Sequence, residues 1–75
     1  MDYLITFFTH FGAVKLCRLR ERERIVCAMM PVPRAVSSDC GTCVRLESDA
    51  DPMRFLSEDA EALYRAEDGR YVRIC

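Results

Sequence analysis

The sequence contains few residues of several types, and it lacks long apolar segments. It has no tryptophan, three glycines and three prolines, and no segment approaches the ~18 consecutive apolar residues that cross a membrane. Hydrophobic residues at 51% and charged residues at 31% are ordinary globular values, so disorder is not expected. We expect one small domain over residues 1–75, which dimerisation would help to stabilise.

The chain also lacks an excess of charge of either sign. The formal net charge is −1, and the arginine-rich run at 18–24 alternates with glutamates, as is typical of a solvated helix end. This balance does not favour nucleic-acid binding. No basic region precedes the first apolar stretch, so a secretory signal is not expected either.

Five cysteines, an odd number, argue against a fully paired disulfide framework. We therefore expect reduced thiols in a cytoplasmic setting. Cys17 and Cys27 fall in apolar segments and are interpreted as small core residues. No cofactor is indicated, and one CxxC motif with a distant histidine supplies too few ligands for zinc, unless a dimer shares the site.

Short apolar runs rich in β-branched and aromatic residues predict four strands. The predicted strands are Tyr3–Phe8, Ile25–Met30, Thr42–Glu47 and Tyr71–Cys75. Thr9 can cap a helix between the first two strands. Asp51-Pro52 is typical of a second helix start, which Asp68-Gly69 would end. The alternative for this last segment is a hairpin that turns at the same Asp-Gly pair.

The resulting order, βαββαβ, predicts an α+β ferredoxin-like sandwich, a four-stranded antiparallel sheet with two helices on one face. We also expect the first and third strands to lie side by side and parallel in the centre of the sheet. We then expect Cys75 and the segment around Cys40 at one end of the sheet, and His10 roughly 20 Å away at the other. A cysteine–histidine hydrolase is not expected on that ground.

The segment from Pro31 to Cys43 concentrates groups that make a cysteine reactive. A thiol beside a cation, with hydroxyl and backbone N–H donors nearby, is activated as a nucleophile. We expect Arg34 to lower the pKa of Cys40 from about 8.5 toward neutrality. Ser37 and Ser38 would donate to the thiolate or to a bound anion. The alternative is that the serines and Asp39 only close a turn.

Cys40 and Cys43 form a CxxC motif, but strand geometry does not favour their pairing. Residues three apart in a strand are ~10 Å from each other, whereas a disulfide needs Cα atoms within about 7 Å. Only a tight turn at Gly41 would let the two sulfurs meet. An internal disulfide therefore stays an alternative.

Several short segments, spread over nearly the whole chain, form a pattern. They are Tyr3-Leu4-Ile5-Thr6-Phe7, Thr9-His10, Met30-Pro31-Val32-Pro33-Arg34, Ser37-Ser38, Cys40-Gly41 and Arg45. This pattern resembles a small bacterial family of selenium/sulfur carrier protein-like sequences. The resemblance implies that Cys40 accepts sulfur or selenium as a persulfide-type adduct from a cysteine desulfurase-like donor and passes it to an acceptor protein. Cys43 and Cys75 depart from the family pattern.

We therefore expect a sulfur- or selenium-carrier protein rather than a turnover enzyme, with Cys40 as the acceptor thiol. The residues expected to stabilise the anion are Arg34, Ser37, Ser38 and Gly41. Cys43 would be an optional resolving thiol. The alternative is a non-catalytic ferredoxin-like module that dimerises or binds a partner protein. RNA binding is disfavoured, because the expected basic and aromatic surface pattern is missing.

Overall fold

The computed structural model describes residues 1–23, 25–36, 41–49 and 51–75, in which five strands form one antiparallel sheet. The strands are β1 (Asp2–Phe7), β2 (Val26–Pro31), β3 (Thr42–Glu47), β4 (Ala60–Glu67) and β5 (Arg70–Arg73). An α-helix, α1 (His10–Arg22), joins β1 to β2, and a short 3-10 helix (Pro52–Phe55) lies between β3 and β4. The order across the sheet is β2-β3-β1-β4-β5. The α+β class is confirmed, but the ferredoxin-like arrangement of four strands and two helices is wrong.

Strand β1 lies at the centre of the sheet and is buried on both faces, as its continuous apolar sequence predicts. Tyr3, Ile5 and Phe7 point into a cluster that also holds residues of α1 and Phe55 of the 3-10 helix. Leu4 points the other way, into a smaller cluster with Val36 and Cys43. Because side chains alternate along the strand, β1 contributes to the cluster on each face of the sheet.

The N-terminus of α1 is fixed by a cap and by a close approach to the β4 side of the sheet. The Gly12 N–H donates to Thr9 Oγ1 over 3.2 Å, which confirms the predicted cap. A Cβ atom at position 12 would lie 2.7 Å from Asp59 Cβ and 3.1 Å from Phe7 Cδ1. Only glycine permits the helix to pack this closely.

The predicted second helix is wrong, and the hairpin alternative is the correct one. Asp51 does cap a helical turn by accepting from the Met53 N–H, but the helix ends after Phe55, where Leu56 is already extended. Residues 60–67 then pair with β1 along nearly its whole length. Asp68 and Gly69 both have positive φ, 49° and 77°, as the tight hairpin turn to β5 requires. Met53, Leu56, Ala60 and Leu63 have the spacing of one helical face, but pairing with the buried central strand outweighs that pattern.

The direction of β3 relative to β1 also differs from the prediction. The two strands are neighbours as expected, but they are antiparallel, with Asp2 opposite Glu47 and Thr6 opposite Cys43. Strand β3 is antiparallel to β2 as well, because the helical crossover leaves β1 and β2 pointing the same way and β3 returns between them. The start of β3 therefore lies at the end of β1, beside the start of α1.

The helix packs on β2, β3 and β1 from one face of the sheet. On the other face the chain after β2 covers part of the smaller cluster, with Val36 buried and Val32 packed against it. Within the described ranges, no helix has the length and apolar content needed to cross a lipid bilayer.

Candidate functional site

The segment that holds the predicted reactive cysteine leaves the sheet from the β2–β3 hairpin. Pro31 is opposite Thr42 at the last pair of the ladder. The Val32 N–H donates to the Gly41 carbonyl over 3.1 Å, which extends the pairing by one step. The Val36 N–H donates to the Pro33 carbonyl over 3.0 Å and closes a turn. Both ends of the segment are thus held by backbone hydrogen bonds.

Arg34 lies exposed in that turn, between the buried Val36 and the end of β2. Gly41 is exposed and has a φ of 71°, a left-handed conformation that favours glycine, as the chain enters β3. Cys40, Ser37 and Ser38 lie outside the described residues. Their predicted roles stay predictions, while Arg34 and Gly41 occupy the two flanks of the segment that contains them.

Cys43, the second thiol of the CxxC motif, is completely buried. Its Sγ donates toward the carbonyl oxygens of Met30 and Pro31, at 3.5 and 3.8 Å. The thiol packs in the smaller cluster with Leu4 and Val36. In this position Cys43 supports the base of the segment, and it would have to leave the core to attack another sulfur.

His10 lies at the same end of the sheet as the Cys40 segment, so its predicted placement at the opposite end is wrong. Its Nδ1 is 3.4 Å from Thr42 Oγ1, and both groups are at the protein surface. The cause is the antiparallel pairing of β1 and β3, which brings the start of β3 to the end of β1. Sequence reasoning could have placed His10 at this end, because a helical crossover followed by a hairpin makes β3 antiparallel to β1; the contact itself depends on side-chain packing.

Cys75 pairs with β4, so it is separated from the β2–β3 hairpin by the width of the sheet. Its carbonyl accepts from the Leu63 N–H of β4 over 3.2 Å, and its Sγ is 3.7 Å from Met53 Sδ of the 3-10 helix. Strand β1 lies between β4 and β3, so the lateral distance to Thr42 is about three strand spacings, roughly 14 Å. Cys75 is level with the start of β3, because Leu63 is opposite Ile5 and Ile5 is opposite Val44. The predicted shared end of the sheet therefore does not bring Cys75 next to Thr42.

Two phenylalanines flank His10 and are largely exposed. Phe8, in the turn before α1, exposes 52% of its surface, and Phe11, in the first turn of the helix, exposes 68%. Lys15 lies 5.5 Å from the centre of the Phe11 ring. The start of α1 therefore exposes two apolar rings and a lysine, which also forms an ion pair with Asp59 over 3.1 Å.

Arg45, one of the residues on which the resemblance rests, lies exposed near the opposite end of β3. Its Nη2 donates to Asp2 Oδ2 over 2.7 Å across the β1–β3 pair. This hydrogen bond lowers the pKa of the Asp2 carboxyl and raises the pKa of the Arg45 guanidinium. The pair links two neighbouring strands and takes no part in the surface around His10.

Comparison with known proteins adds one match. The model of a family described as "Putative Se/S carrier protein-like" matches residues 2–66. The matched stretch runs from the first residue of β1 to the penultimate residue of β4 and includes the whole segment around Cys40. A search of curated proteins and a search of solved structures each find no match to this chain.

Proposed function

Because the chain belongs to the Se/S carrier protein-like family, we propose that it carries sulfur or selenium as a persulfide-type adduct on Cys40. The family match over residues 2–66 carries this proposal, since it includes the segment in which a thiol, a cation and hydroxyl groups are concentrated. The donor would be a cysteine desulfurase-like protein, and a second protein would accept the cargo.

The proposed reaction is a transfer of sulfane sulfur with no net oxidation. The Cys40 thiolate attacks the terminal sulfur of a persulfide on the donor protein. The donor's sulfur–sulfur bond breaks, and the donor cysteine leaves as a thiolate. A new sulfur–sulfur bond then joins the transferred atom to Cys40, and the proton lost by Cys40 goes to the leaving thiolate. Transfer to an acceptor thiolate repeats the step in the other direction.

The flanks of the segment support such a site. Arg34 is exposed in a turn closed by the Val36–Pro33 hydrogen bond, so its guanidinium is available to an anionic adduct. Gly41 provides the left-handed turn through which the chain returns to the sheet. Ser37 and Ser38 would add hydroxyl donors. Cys43 would hold the base of the segment and would act as a resolving thiol only after leaving the core.

His10 would take the Cys40 proton and pass it to the leaving thiolate of the donor. Consecutive Cα atoms are about 3.8 Å apart, so residues two positions apart in a chain lie within roughly 7 Å. Cys40 precedes Thr42 by two residues, and Thr42 Oγ1 is 3.4 Å from the imidazole. This chain separation is short enough for the segment to bring the Cys40 thiol to the imidazole, directly or through one water, and the imidazole would then serve as its general base.

The proposal predicts that the protein gains sulfur from a persulfide donor. The reduced chain is incubated with a cysteine desulfurase and cysteine, and its intact mass is measured without reductant. We expect a gain of one sulfur atom, which dithiothreitol removes. Digestion with trypsin should place the added atom in the peptide Ala35–Arg45, which contains Cys40 and Cys43.

The same mixture without cysteine is the control, because it holds both proteins but no source of sulfur. A chain that stays unlabelled while the desulfurase itself carries a persulfide would refute the carrier function. Stable labelling of the Cys75 peptide alone would refute the proposed site and leave a different thiol as the acceptor.

Replacing His10 by alanine should slow the transfer near pH 7. Arg34 would lower the pKa of Cys40 only part of the way from about 8.5 toward neutrality, so the thiol stays mostly protonated at that pH without a base. Loss of the base should then cost up to about tenfold in rate. The defect should shrink toward pH 9, where hydroxide ionises the thiol without help. The measurement is the initial rate of label uptake at both pH values.

The matched control for His10→Ala is Thr42→Val, which removes the hydroxyl that contacts the imidazole but keeps the imidazole itself. A smaller loss is expected for this variant. If His10→Ala takes up label at the wild-type rate near pH 7, His10 has no part in the transfer. That result would leave the proposal that Cys40 carries the sulfur unchanged.

A further inference from the structure

Two cysteines outside the proposed carrier site approach each other between the helix and the sheet. Cys17 Sγ of α1 and Cys27 Sγ of β2 are 3.1 Å apart. Cys17 is buried on the core-facing side of the helix, and Cys27 is partly buried and packs against the same cluster. Their separation is about one ångström longer than a disulfide bond, which is about 2.05 Å.

The backbone around this pair holds the two elements in place. The Ile25 N–H donates to the Arg20 carbonyl over 3.2 Å, and the Glu23 N–H donates to the same carbonyl over 3.0 Å. These bonds hold Ile25, the residue before β2, to the last turn of the helix. Cys17 and Cys27 are therefore positioned by a short, hydrogen-bonded connection rather than by chance contact of two mobile segments.

The two thiols differ in access. Cys27 lies on β2, which is an edge strand of the sheet, and its burial is intermediate. Cys17 exposes only 8% of its surface. A reagent from solution would therefore meet Cys27 first, and Cys17 would be the neighbouring thiol that reacts afterwards.

We propose that Cys17 and Cys27 form a redox-active dithiol that low-molecular-weight disulfides oxidise to an intramolecular disulfide joining α1 to β2. The Cys27 thiolate attacks one sulfur of the small disulfide, which gives a mixed disulfide and releases one thiol. The Cys17 thiolate then attacks the Cys27 sulfur and releases the second thiol. Two protein thiols are oxidised, and one small disulfide is reduced to two thiols that take up the protons.

The disulfide closes a short loop and pins the helix to the edge of the sheet. A loop of this size restricts the unfolded chain enough to raise the melting temperature by roughly 10 °C in a domain of this length. The strand that it fixes, β2, continues directly into the segment that carries Arg34. Oxidation would thus stiffen the element from which that segment leaves the sheet.

The test is to incubate the reduced wild-type protein with oxidised glutathione and to digest it with trypsin under non-reducing conditions. The sequence places Cys17 in the peptide Leu16–Arg18 and Cys27 in Ile25–Arg34, while Cys40 and Cys43 share Ala35–Arg45. We expect the first two peptides to be recovered joined together, with a mass lower by two hydrogen atoms than their sum. The melting temperature of the oxidised protein should be about 10 °C higher than that of the reduced protein.

Two variants separate this pair from the other thiols. Cys27→Ala should lose the crosslinked peptide and the rise in melting temperature, whereas Cys75→Ser should keep both. Recovery of Leu16–Arg18 with a reduced cysteine, or joined to Ala35–Arg45, would overturn the proposal. This outcome is independent of the carrier function, because sulfur uptake is read on the peptide that contains Cys40.

Discussion

A Cys40→Ser variant is expected to take up no sulfur from a persulfide donor. A serine hydroxyl stays protonated near neutral pH and is a far weaker nucleophile toward sulfur than a thiolate. The substitution exchanges one small polar side chain for another of nearly the same size, so we expect the fold to survive it. The measurement is the intact mass after incubation with desulfurase and cysteine, beside the wild-type chain.

Matched cysteine variants make this result specific. Cys75→Ser removes an exposed thiol on the far side of the sheet and should leave uptake unchanged. Cys43→Ala removes the buried neighbour and tests the resolving role. If Cys43 attacks the loaded Cys40, the adduct is released as hydrosulfide with formation of a disulfide, and Cys43→Ala should keep the label longer. Uptake by Cys40→Ser at the wild-type level would refute the assignment of Cys40.

Replacing Phe7 by alanine should remove a large part of the domain's free energy of unfolding. Phe7 is completely buried at the end of the central strand, against Gly12 of α1. Truncation of a buried phenylalanine costs about 3–5 kcal/mol, whereas a chain of 75 residues is stable by only about 4–11 kcal/mol. The measurement is urea denaturation followed by circular dichroism.

The adjacent phenylalanine provides the control. Phe8 has the same side chain but exposes 52% of its surface, so Phe8→Ala should change the free energy of unfolding by about 0.5 kcal/mol or less. Equal losses in the two variants would contradict the assigned burial. A Phe7→Ala protein as stable as wild type would mean that β1 does not form the centre of the sheet.

The parts of the fold that local patterns determine were predictable from the sequence. Strand β3 was predicted with its observed bounds, Thr42–Glu47, and β1 and β2 within one residue. Thr9 caps α1 as its position predicts. These elements have a strong periodicity or a cap, so their identity does not depend on distant parts of the chain.

Residues 60–67 could not be assigned from their own pattern. Leu56, Ala60 and Leu63 have helical spacing, yet β4 forms because β1 offers an unpaired backbone and an apolar face on that side. A strand that depends on a partner more than fifty positions earlier carries little local signal. The Asp68-Gly69 turn was the one local feature that favoured the hairpin.

The candidate site was predictable as a set of residue types but not as a spatial arrangement. The concentration of groups from Arg34 to Cys43 is visible in the sequence. The position of His10 depends on the direction of β3, and one error in strand direction moved the imidazole to the wrong end of the sheet. The approach of Cys17 to Cys27 is likewise set by how α1 packs on β2, which no spacing rule gives.

The strand order has a consequence for the way in which the chain folds. The two hairpins, β2–β3 and β4–β5, join neighbouring segments and can form early, but β1 must pair with one strand of each to unite them. Its partners follow it by some forty and sixty residues along the chain. Bringing such distant segments together costs conformational entropy before their pairing stabilises the chain. Folding should therefore be slower than in a helical bundle of equal length. During synthesis, β1 lacks its second partner until β4 has been made as far as residue 66, and its apolar side chains stay partly exposed until then.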